Sequence, residues 1–219
     1  MKFDAKTIAV LENFQAINPA IVIEPGSVLK TISVSGSIFA SAKVPEVFPL
    51  KIGIYELSKF LGILSLSKES DVEFKDGFMI ISQGDTKVRY SYSDTSLIET
   101  PPDGDVEMDA TLTFNLSADV LTKVLKAAAV LKYNEVAITG RDGILSIATI
   151  ASKDPENATR YSVNIGTTDK DFTFVIGEEI LRLVKTDYKV TIDKGGISHF
   201  FSPSLEYWIG LSEKSKYEE

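Results

Sequence analysis

The chain has 219 residues and a formal net charge of −8; 44% of its residues are hydrophobic and 25% are charged. This balance is typical of a folded chain with one large domain or two smaller ones, and it excludes a disordered tail. The longest apolar stretch, 60–66, is far shorter than the roughly 20 residues that span a bilayer, and the first residues lack the apolar core of a signal peptide. We therefore expect a cytoplasmic protein with no membrane partner.

Four segments have the periodicity of a helix with one apolar side. Asp4 and Ser117 stand where the first and third of them begin, and we expect each to be an N-cap. Lysine and arginine lie on the polar sides. The segments are 4–17, 55–66, 117–131 and 177–185.

Between the helical segments the hydrophobic period falls to two, which predicts antiparallel strands. Pairs of turn residues predict hairpin turns at 25–26, 35–36, 76–77, 140–143 and 194–196. The predicted strands of the first half are 20–24, 28–34, 38–44, 71–74, 78–82 and 86–92. Those of the second half are 107–114, 134–140, 144–150, 159–165, 171–176, 187–193, 197–202 and 205–211.

The order of helix, strands, helix and strands occurs once before and once after residue 100, which predicts two copies of one α+β domain. We assign the domains to 1–96 and 107–219 and the connector between them to 97–106, where paired prolines favour an extended chain. Acidic residues alternate from 103 to 109, but their spacing does not fit a calcium loop, so we predict an acidic linker and no metal.

Composition argues against an enzyme. Cysteine is absent, which excludes thiolate nucleophiles and cysteine-bound zinc, and His199 is the only histidine available for a Ser-His-Asp triad. No Gly-x-Ser-x-Gly accompanies it, and the glycine loops that bind nucleotide phosphates are missing. We expect no catalytic residue and no cofactor.

Charge is distributed unevenly along the chain. The helical spans, taken as 4–17, 55–66, 117–132 and 177–185, hold seven basic and six acidic residues, whereas the remainder holds 16 basic and 25 acidic ones. Five of the six helical acids lie at an N-cap or in a first turn, where they complement the helix dipole. If all four helices lay on one surface, it would attract the phosphates of duplex DNA without reading bases. The alternative is that lysines merely solvate exposed helix faces.

Two stretches of sequence suggest a family. Residues 54–66, followed by the Asp76-Gly77 turn, resemble the second helix of the DNA polymerase sliding clamp of T-even-like bacteriophages, including cyanophage-type relatives. Residues 11–18 resemble the end of that clamp's first helix, and Gly26 follows at the matching turn. The resemblance is specific over 1–92 and extends to pattern alone beyond it.

The resemblance implies a DNA clamp fold with two helices on antiparallel sheets in each domain, and three chains in a head-to-tail ring of six domains. It implies a homotrimer that encircles double-stranded DNA without sequence specificity and tethers the replicative DNA polymerase for processive synthesis. An ATP-dependent clamp loader complex would open and load the ring in the cytoplasm of the infected bacterial host. In these phages such clamps also assist late transcription.

The resemblance also assigns residues to three surfaces. The DNA-facing set is Lys2, Lys6, Lys59, Lys123, Lys126, Arg182 and Lys185. The subunit interface would pair the strand 86–92 with the strand 159–165 of the next chain, through Lys87, Val88, Tyr90, Tyr92, Arg160, Tyr161 and Val163. The pocket for a partner's C-terminal peptide would be formed by Leu97, Ile98, Pro101, Pro102, Tyr207 and Trp208.

Alternatives remain open at this stage. Tyr90 and Tyr161 could be ordinary strand residues, and Trp208 could belong to the core. The chain as a whole could be a non-enzymatic β-rich binding or virion structural module that does not bind DNA.

Overall fold

A computed structural model describes residues 1–66, 70–102, 104, 106–151, 153 and 158–217. The chain divides into two compact units, Met1–Gly104 and Asp105–Glu219. The division falls within the predicted connector, 97–106, of which Asp103 and Asp105 lie outside the described residues. No helix in the described ranges is long and apolar enough to cross a membrane.

The first unit begins with a helix and continues with short antiparallel strands. Strand β1 pairs with β4, β2 pairs with β3, and β5, β6 and β7 form a sheet in that order. A short 3₁₀-helix, Thr95–Leu97, follows the last strand. The elements are α1 (Ala5–Gln15), β1 (Ile21–Ile23), β2 (Gly26–Ile32), β3 (Ile38–Phe48), β4 (Ile52–Ile54), α2 (Leu57–Ser65), β5 (Asp71–Lys75), β6 (Phe78–Gln83) and β7 (Thr86–Ser91).

The second unit contains a longer helix and two larger sheets. One sheet has the order β11-β10-β9-β12-β16, and the strands of the other include β15-β14-β13-β8 in that order. The elements are β8 (Leu112–Leu116), α3 (Ala118–Leu131), β9 (Glu135–Arg141), β10 (Ile144–Ile150), β11 (Ser162–Thr167), β12 (Phe172–Ile176), a 3₁₀-helix (Glu178–Arg182), β13 (Tyr188–Asp193), β14 (Ile197–Ser202), β15 (Leu205–Gly210) and β16 (Lys216–Tyr217).

The two units repeat one pairing scheme. The pairs β1–β4 and β2–β3 correspond to β9–β12 and β10–β11, and the sheet β5-β6-β7 corresponds to β13-β14-β15. In the second unit β8 also pairs with β13, and in the first unit Met1 pairs with Val72 of β5 in the same way. The Met1 amino group donates to Val72 O at 2.9 Å, and Val72 N–H donates to Met1 O at 2.7 Å. The predicted duplicated α+β architecture is therefore confirmed, while the domain limits 1–96 and 107–219 stay predictions.

Helices α1 and α3 begin where their predicted capping residues stand. The Asp4 carboxylate accepts from Lys6 N–H at 2.8 Å, and the Ser117 hydroxyl accepts from Val120 N–H at 3.3 Å. Both caps satisfy an amide that the helix leaves without a backbone partner. Helix α3 ends at Leu131, and its C-cap Lys132 adopts the left-handed conformation at φ 57°.

In addition to its N-cap, each of α1 and α3 is anchored at its beginning by a carboxylate from elsewhere in its unit. In the first unit the buried Glu46 of β3 accepts from the backbone N–H of Asp4 and from the Thr7 hydroxyl. In the second unit the exposed Asp187 accepts from Ala118 N–H at 2.7 Å. Each helix is thus held to its own unit by an acidic residue far away in the sequence.

Aromatic and aliphatic side chains form the core of each unit. Phe14, Phe48 and Phe60 are fully buried in the first, and Phe174 and Phe200 are buried in the second. The strand patterns explain this burial, because alternate residues of β3 point inward along its whole length.

Three details differ from the sequence predictions. The fourth helical segment, 177–185, forms a 3₁₀-helix over Glu178–Arg182 instead of an α-helix, because the chain must enter β13 soon afterwards and only Ile180 and Leu183 are anchored in the core. The residues 25–26 do not join a hairpin, since β1 pairs with β4. Strands β4 and β16 were not predicted, because two or three residues are too few to show a period.

Candidate nucleic-acid interface and subunit joint

The predicted DNA-facing residues of the first unit lie on or next to its two helices. Lys2 precedes α1, Lys6 lies in its first turn, and Lys59 lies on α2, and all three are exposed. Helix α1 packs against α2. The helices bury the opposite side, which includes Leu11 and Phe60, so the cations are on the solvent side by the same amphipathic pattern that builds the core.

The second unit presents its predicted cations on α3 and around the 3₁₀-helix. Lys123 and Lys126 are exposed on α3, which packs on β10 and β11 and buries Leu121 and Val124. Arg182 is the last residue of the 3₁₀-helix and is partly covered, with 28% of its side chain exposed. Lys185 follows it and is exposed.

Three of these cations are paired with a carboxylate one turn earlier on the same helical segment. Lys59 Nζ lies 3.5 Å from Glu56, Lys123 Nζ lies 2.6 Å from Asp119, and Arg182 Nη2 lies 3.2 Å from Glu178. The hydrogen bond to Asp119 and the charge of that carboxylate raise the pKa of the Lys123 ammonium.

Sequence reasoning explained the acids only by the helix dipole and missed this pairing. The spacing of three or four residues between acid and base was the available signal. The other helix-borne lysines of the predicted set, Lys6, Lys126 and Lys185, form no ion pair with a described residue. The DNA-facing set therefore contains both paired and unpaired cations.

Each unit has a strand at the edge of a sheet where the subunit joint was predicted. Strand β7 pairs with β6 on one side, and β11 pairs with β10 on one side; across the described ranges neither has a partner on its other side. Both strands contain six residues. Their outer backbone groups are available for pairing with another chain.

The predicted interface residues of β7 do not all point to the free edge. Lys87 is exposed and Val88 is half-buried, but the Tyr90 ring packs against Phe60 of its own unit with a centroid distance of 5.3 Å. Burial raises the pKa of Tyr90, and also that of Tyr92, which follows the strand. Tyr90 therefore contributes to the core of the first unit.

Two of the residues predicted for the partner strand lie just before it. Strand β11 begins at Ser162, so Arg160 and Tyr161 precede it, and both are exposed. The segment already runs beside β10, because Thr149 N–H donates to Tyr161 O at 3.0 Å. Val163, inside β11, is half-buried.

The first-unit residues predicted for a peptide pocket are in mixed environments. Leu97 is 69% exposed and Pro102 is exposed, whereas Pro101 is half-buried. Ile98 is buried in a cluster with Ala20 and Val22. Leu97 and Pro102 are thus accessible and Pro101 is partly so, whereas Ile98 is a core residue.

Of the second-unit residues predicted for that pocket, Tyr207 is corrected by the structure. It is fully buried, and its hydroxyl accepts from Val184 N–H at 3.4 Å, so it cannot form the wall of a surface pocket. Trp208 stacks on His199 across β14 and β15, with ring centroids 4.5 Å apart, and remains partly exposed. The His199 ring in turn lies 3.0 Å from the Glu206 carboxylate, which gives this histidine a structural role on a strand.

A pocket of about 670 Å³ lies elsewhere in the second unit, between β8, the start of α3 and the edge strand β11. None of the residues predicted for a peptide pocket lines it. Its apolar walls are Leu116, Val120, Ile165, Phe201 and Pro203. Within the described ranges no three acidic, histidine or cysteine side chains are grouped as metal ligands.

Comparison with known proteins assigns both halves of the chain. Residues 2–99 match the family model described as DNA polymerase processivity factor, and residues 113–213 match that of the C-terminal part of the gp45 sliding clamp. The sliding clamp of Vibrio phage KVP40 is 32% identical over 217 residues, which cover 95% of this chain and 98% of that protein. This chain belongs to the sliding-clamp family.

Further relatives agree with this placement. The clamp is 28% identical over 227 residues to the sliding clamp of Escherichia phage RB69, with both chains covered in full. Its fold is that of proliferating cellular nuclear antigen from Entamoeba histolytica, with a TM-score of 0.69, 17% identity, and coverage of 96% of the clamp and 97% of that chain. The predicted family and DNA clamp fold are confirmed, and the alternative of a structural module without DNA is not favoured.

Proposed function

We propose that three copies of this clamp close head to tail into a ring that encircles duplex DNA without sequence specificity and tethers the replicative DNA polymerase. Family membership supports the proposal, together with two edge strands of equal length, β7 and β11, each of which has one strand partner within the described residues. The clamp domains are assigned to 1–96 and 107–219, joined by the connector 97–106.

The edge strands support a joint in which β7 of one chain pairs with β11 of the next. Such pairing satisfies the open backbone groups of both strands and extends a sheet from one chain to the next. Because the two strands lie in different units, the joint is heterologous, and a rotation of one third of a turn closes it into a ring. The apolar pocket beside β11 offers further surface at this joint.

The exposed cations of the helices support DNA binding through the phosphate backbone. The chain carries a net charge of −8, so a ring of three is strongly acidic and accepts DNA only where it is locally basic. Lys2, Lys6, Lys59, Lys123, Lys126, Arg182 and Lys185 supply that basic surface. Flexible cations that contact phosphates carry no sequence information, so the ring slides.

The partners of the ring are a polymerase, a loader and transcription factors. We assign the polymerase tether to a hydrophobic C-terminal peptide that binds near Leu97, Pro101 and Pro102, with Trp208 as a candidate wall. An ATP-dependent clamp loader complex opens the ring, and the clamp also serves late transcription in the cytoplasm of the infected bacterial host. The clamp itself catalyses no reaction.

Loading on circular DNA tests the proposal. The clamp and its cognate loader are incubated with ATP and nicked circular DNA, and free protein is removed by gel filtration. We expect the clamp to stay on the circle and to escape when a restriction enzyme cuts it. Equal retention on circular and linear DNA would contradict encirclement.

Charge substitutions test the joint independently of DNA. The double variant Val88→Asp/Val163→Asp sets carboxylates of neighbouring chains close together at each joint. We expect their repulsion to weaken association by about 3 kcal/mol per joint and to abolish the trimer in sedimentation. The matched control combines Val88→Asp with Val163→Lys and restores association. A trimer that persists in the first variant, with folding verified by circular dichroism, would show that β7 and β11 do not meet.

A further inference from the structure

We propose that three carboxylates compete with DNA phosphate for Lys59, Lys123 and Arg182, and that this competition keeps the ring mobile on DNA. We name them the leading carboxylates: Glu56, Asp119 and Glu178. This inference rests on the proposed function. It concerns how strongly the cations hold the DNA, which encirclement alone leaves open.

The three pairs have the same order of acid and base on three helical segments. In each, the acid precedes the base by three or four residues, at distances of 3.5 Å for Glu56–Lys59, 2.6 Å for Asp119–Lys123 and 3.2 Å for Glu178–Arg182. An acid N-terminal to its base is the favourable order for such a pair on a helix. The arrangement occurs in both units and in an α-helix as well as a 3₁₀-helix.

Two of the pairs are exposed at both members, and the third is exposed at its acid while Arg182 is 28% exposed, so each carboxylate can leave its cation. Between 59% and 71% of each leading carboxylate is accessible, and the side chains of Lys59 and Lys123 are 67% and 55% exposed. Exposed ion pairs are weak because water and salt screen them. A phosphate that approaches the cation therefore competes with the carboxylate on nearly equal terms.

This competition has a direct effect on movement along DNA. A cation that releases one phosphate finds its carboxylate within one turn of helix and does not remain as an unpaired charge. The free energy of the state between two phosphate contacts is lowered, and the barrier to each step falls with it. Cations without such a partner, such as Lys126, hold the phosphate longer.

The helix dipole alone does not account for the pairing. Glu179 also lies in the first turn of the 3₁₀-helix, where it has the same dipole, yet it forms no ion pair with a described residue. If the acids served the dipole only, Glu178 and Glu179 would be equivalent. Under our proposal only Glu178 restrains an arginine that faces DNA.

The experiment compares two triple variants of equal charge. The first, E56Q/D119N/E178Q, removes the leading carboxylates. The second, E24Q/E73Q/E135Q, removes carboxylates that pair with Lys51, Lys75 and Lys214 away from the helices. Each ring is loaded on DNA, its diffusion coefficient is measured by single-molecule tracking, and its retention on a nicked circle is measured against salt.

We expect the first variant to diffuse at least about threefold more slowly than the wild type. Its retention should also fall more steeply with salt concentration. The slope of this salt dependence should increase by the equivalent of roughly one phosphate contact or more. The second variant should match the wild type within about 1.5-fold on both readouts, because salt screens charges at a distance. Circular dichroism checks its fold, since the Glu135 side chain is only 14% exposed. At the single-site level, Glu178→Gln slows diffusion and Glu179→Gln does not.

Equal slowing by both triple variants would assign the effect to net charge and overturn the inference. No slowing by either variant would mean that the acids only stabilise the helices, and this result would overturn it as well. Thermal unfolding separates the roles further, because loss of dipole stabilisation lowers Tm without slowing diffusion. A wild-type ring that is not retained on circular DNA overturns the proposed function itself, and the inference with it.

Discussion

The two units of the clamp share a strand-pairing scheme but differ in the helix that follows β4 in the first unit and β12 in the second. The first unit uses α2, a nine-residue α-helix, whereas the second uses a 3₁₀-helix of five residues. Both bury two apolar side chains three residues apart: Leu57 and Phe60 in one, Ile180 and Leu183 in the other. The comparison teaches that the apolar anchors keep the helix layer in place, while the backbone hydrogen-bond pattern is free to change.

Truncation of one anchor in each unit tests this comparison and should have the largest effect on stability. We expect Phe60→Ala to lower the free energy of unfolding by about 4 kcal/mol and Ile180→Ala by about 3 kcal/mol, because both side chains are fully buried. Urea unfolding at one fixed protein concentration measures both. Leu66→Ala and Val130→Ala, at residues 77% and 81% exposed, are the controls and should change little. A loss below about 0.5 kcal/mol for Ile180→Ala would mean that the 3₁₀-helix is not anchored.

The carboxylates that anchor α1 and α3 allow a second comparison, between a buried and an exposed site. Glu46→Ala leaves the buried Thr7 hydroxyl and the partly buried Asp4 N–H without their acceptor, and we expect a loss of about 2 to 3 kcal/mol. Asp187→Ala should cost no more than about 1 kcal/mol, since water can reach the Ala118 amide.

Urea unfolding at pH 7 measures this difference as well. Glu46→Gln, which keeps an acceptor oxygen, serves as the control and should lose less than Glu46→Ala. Equal losses for Glu46→Ala and Asp187→Ala would contradict the role of burial in this comparison.

The smallest expected effect is a pH dependence at Asp193, the end of β13. Hydrogen bonds from Gly195 N–H and Asp109 N–H hold the pKa of its carboxyl below the ordinary value of 3.8. A carboxyl with a lowered folded pKa stabilises the protein above its unfolded pKa and loses that contribution as pH falls through the folded value. Because Asp193 is half-buried and water still reaches its carboxylate, the contribution is below about 1 kcal/mol.

Urea unfolding between pH 7 and pH 2.5 should therefore show a decline below pH 3.8 that is shallower in Asp193→Asn than in the wild type. The same slope in both proteins would exclude this carboxyl as the cause.

Much of the fold could be predicted from sequence because the signals are local. The caps at Asp4 and Ser117 and the apolar faces of α1, α2 and α3 follow from helical spacing, and most strands follow from alternation between turn residues. The β1–β4 pairing could not be predicted. It joins residues about 30 positions apart in the sequence, and each of the two strands has only three residues.

The candidate site was less predictable, because parts of it also depend on contacts between residues distant in the sequence. Exposure of Lys6, Lys59, Lys123 and Lys126 follows from the helical period, and the free edges of β7 and β11 lie where the family resemblance put the joint. The burial of Tyr207 depends on which side of β15 faces the core. Alternation alone did not decide between Tyr207 and its neighbour Trp208, because both are aromatic.

The stacking of Trp208 on His199 gives the second unit an optical signal of its own. The chain contains one tryptophan and one histidine, and the two rings lie 4.5 Å apart. Indole emission excited at the red edge of its absorption band therefore originates in the second unit alone. Loss of the stack on unfolding will change that emission, so fluorescence can time the opening of one half of the chain while the other half remains spectroscopically silent.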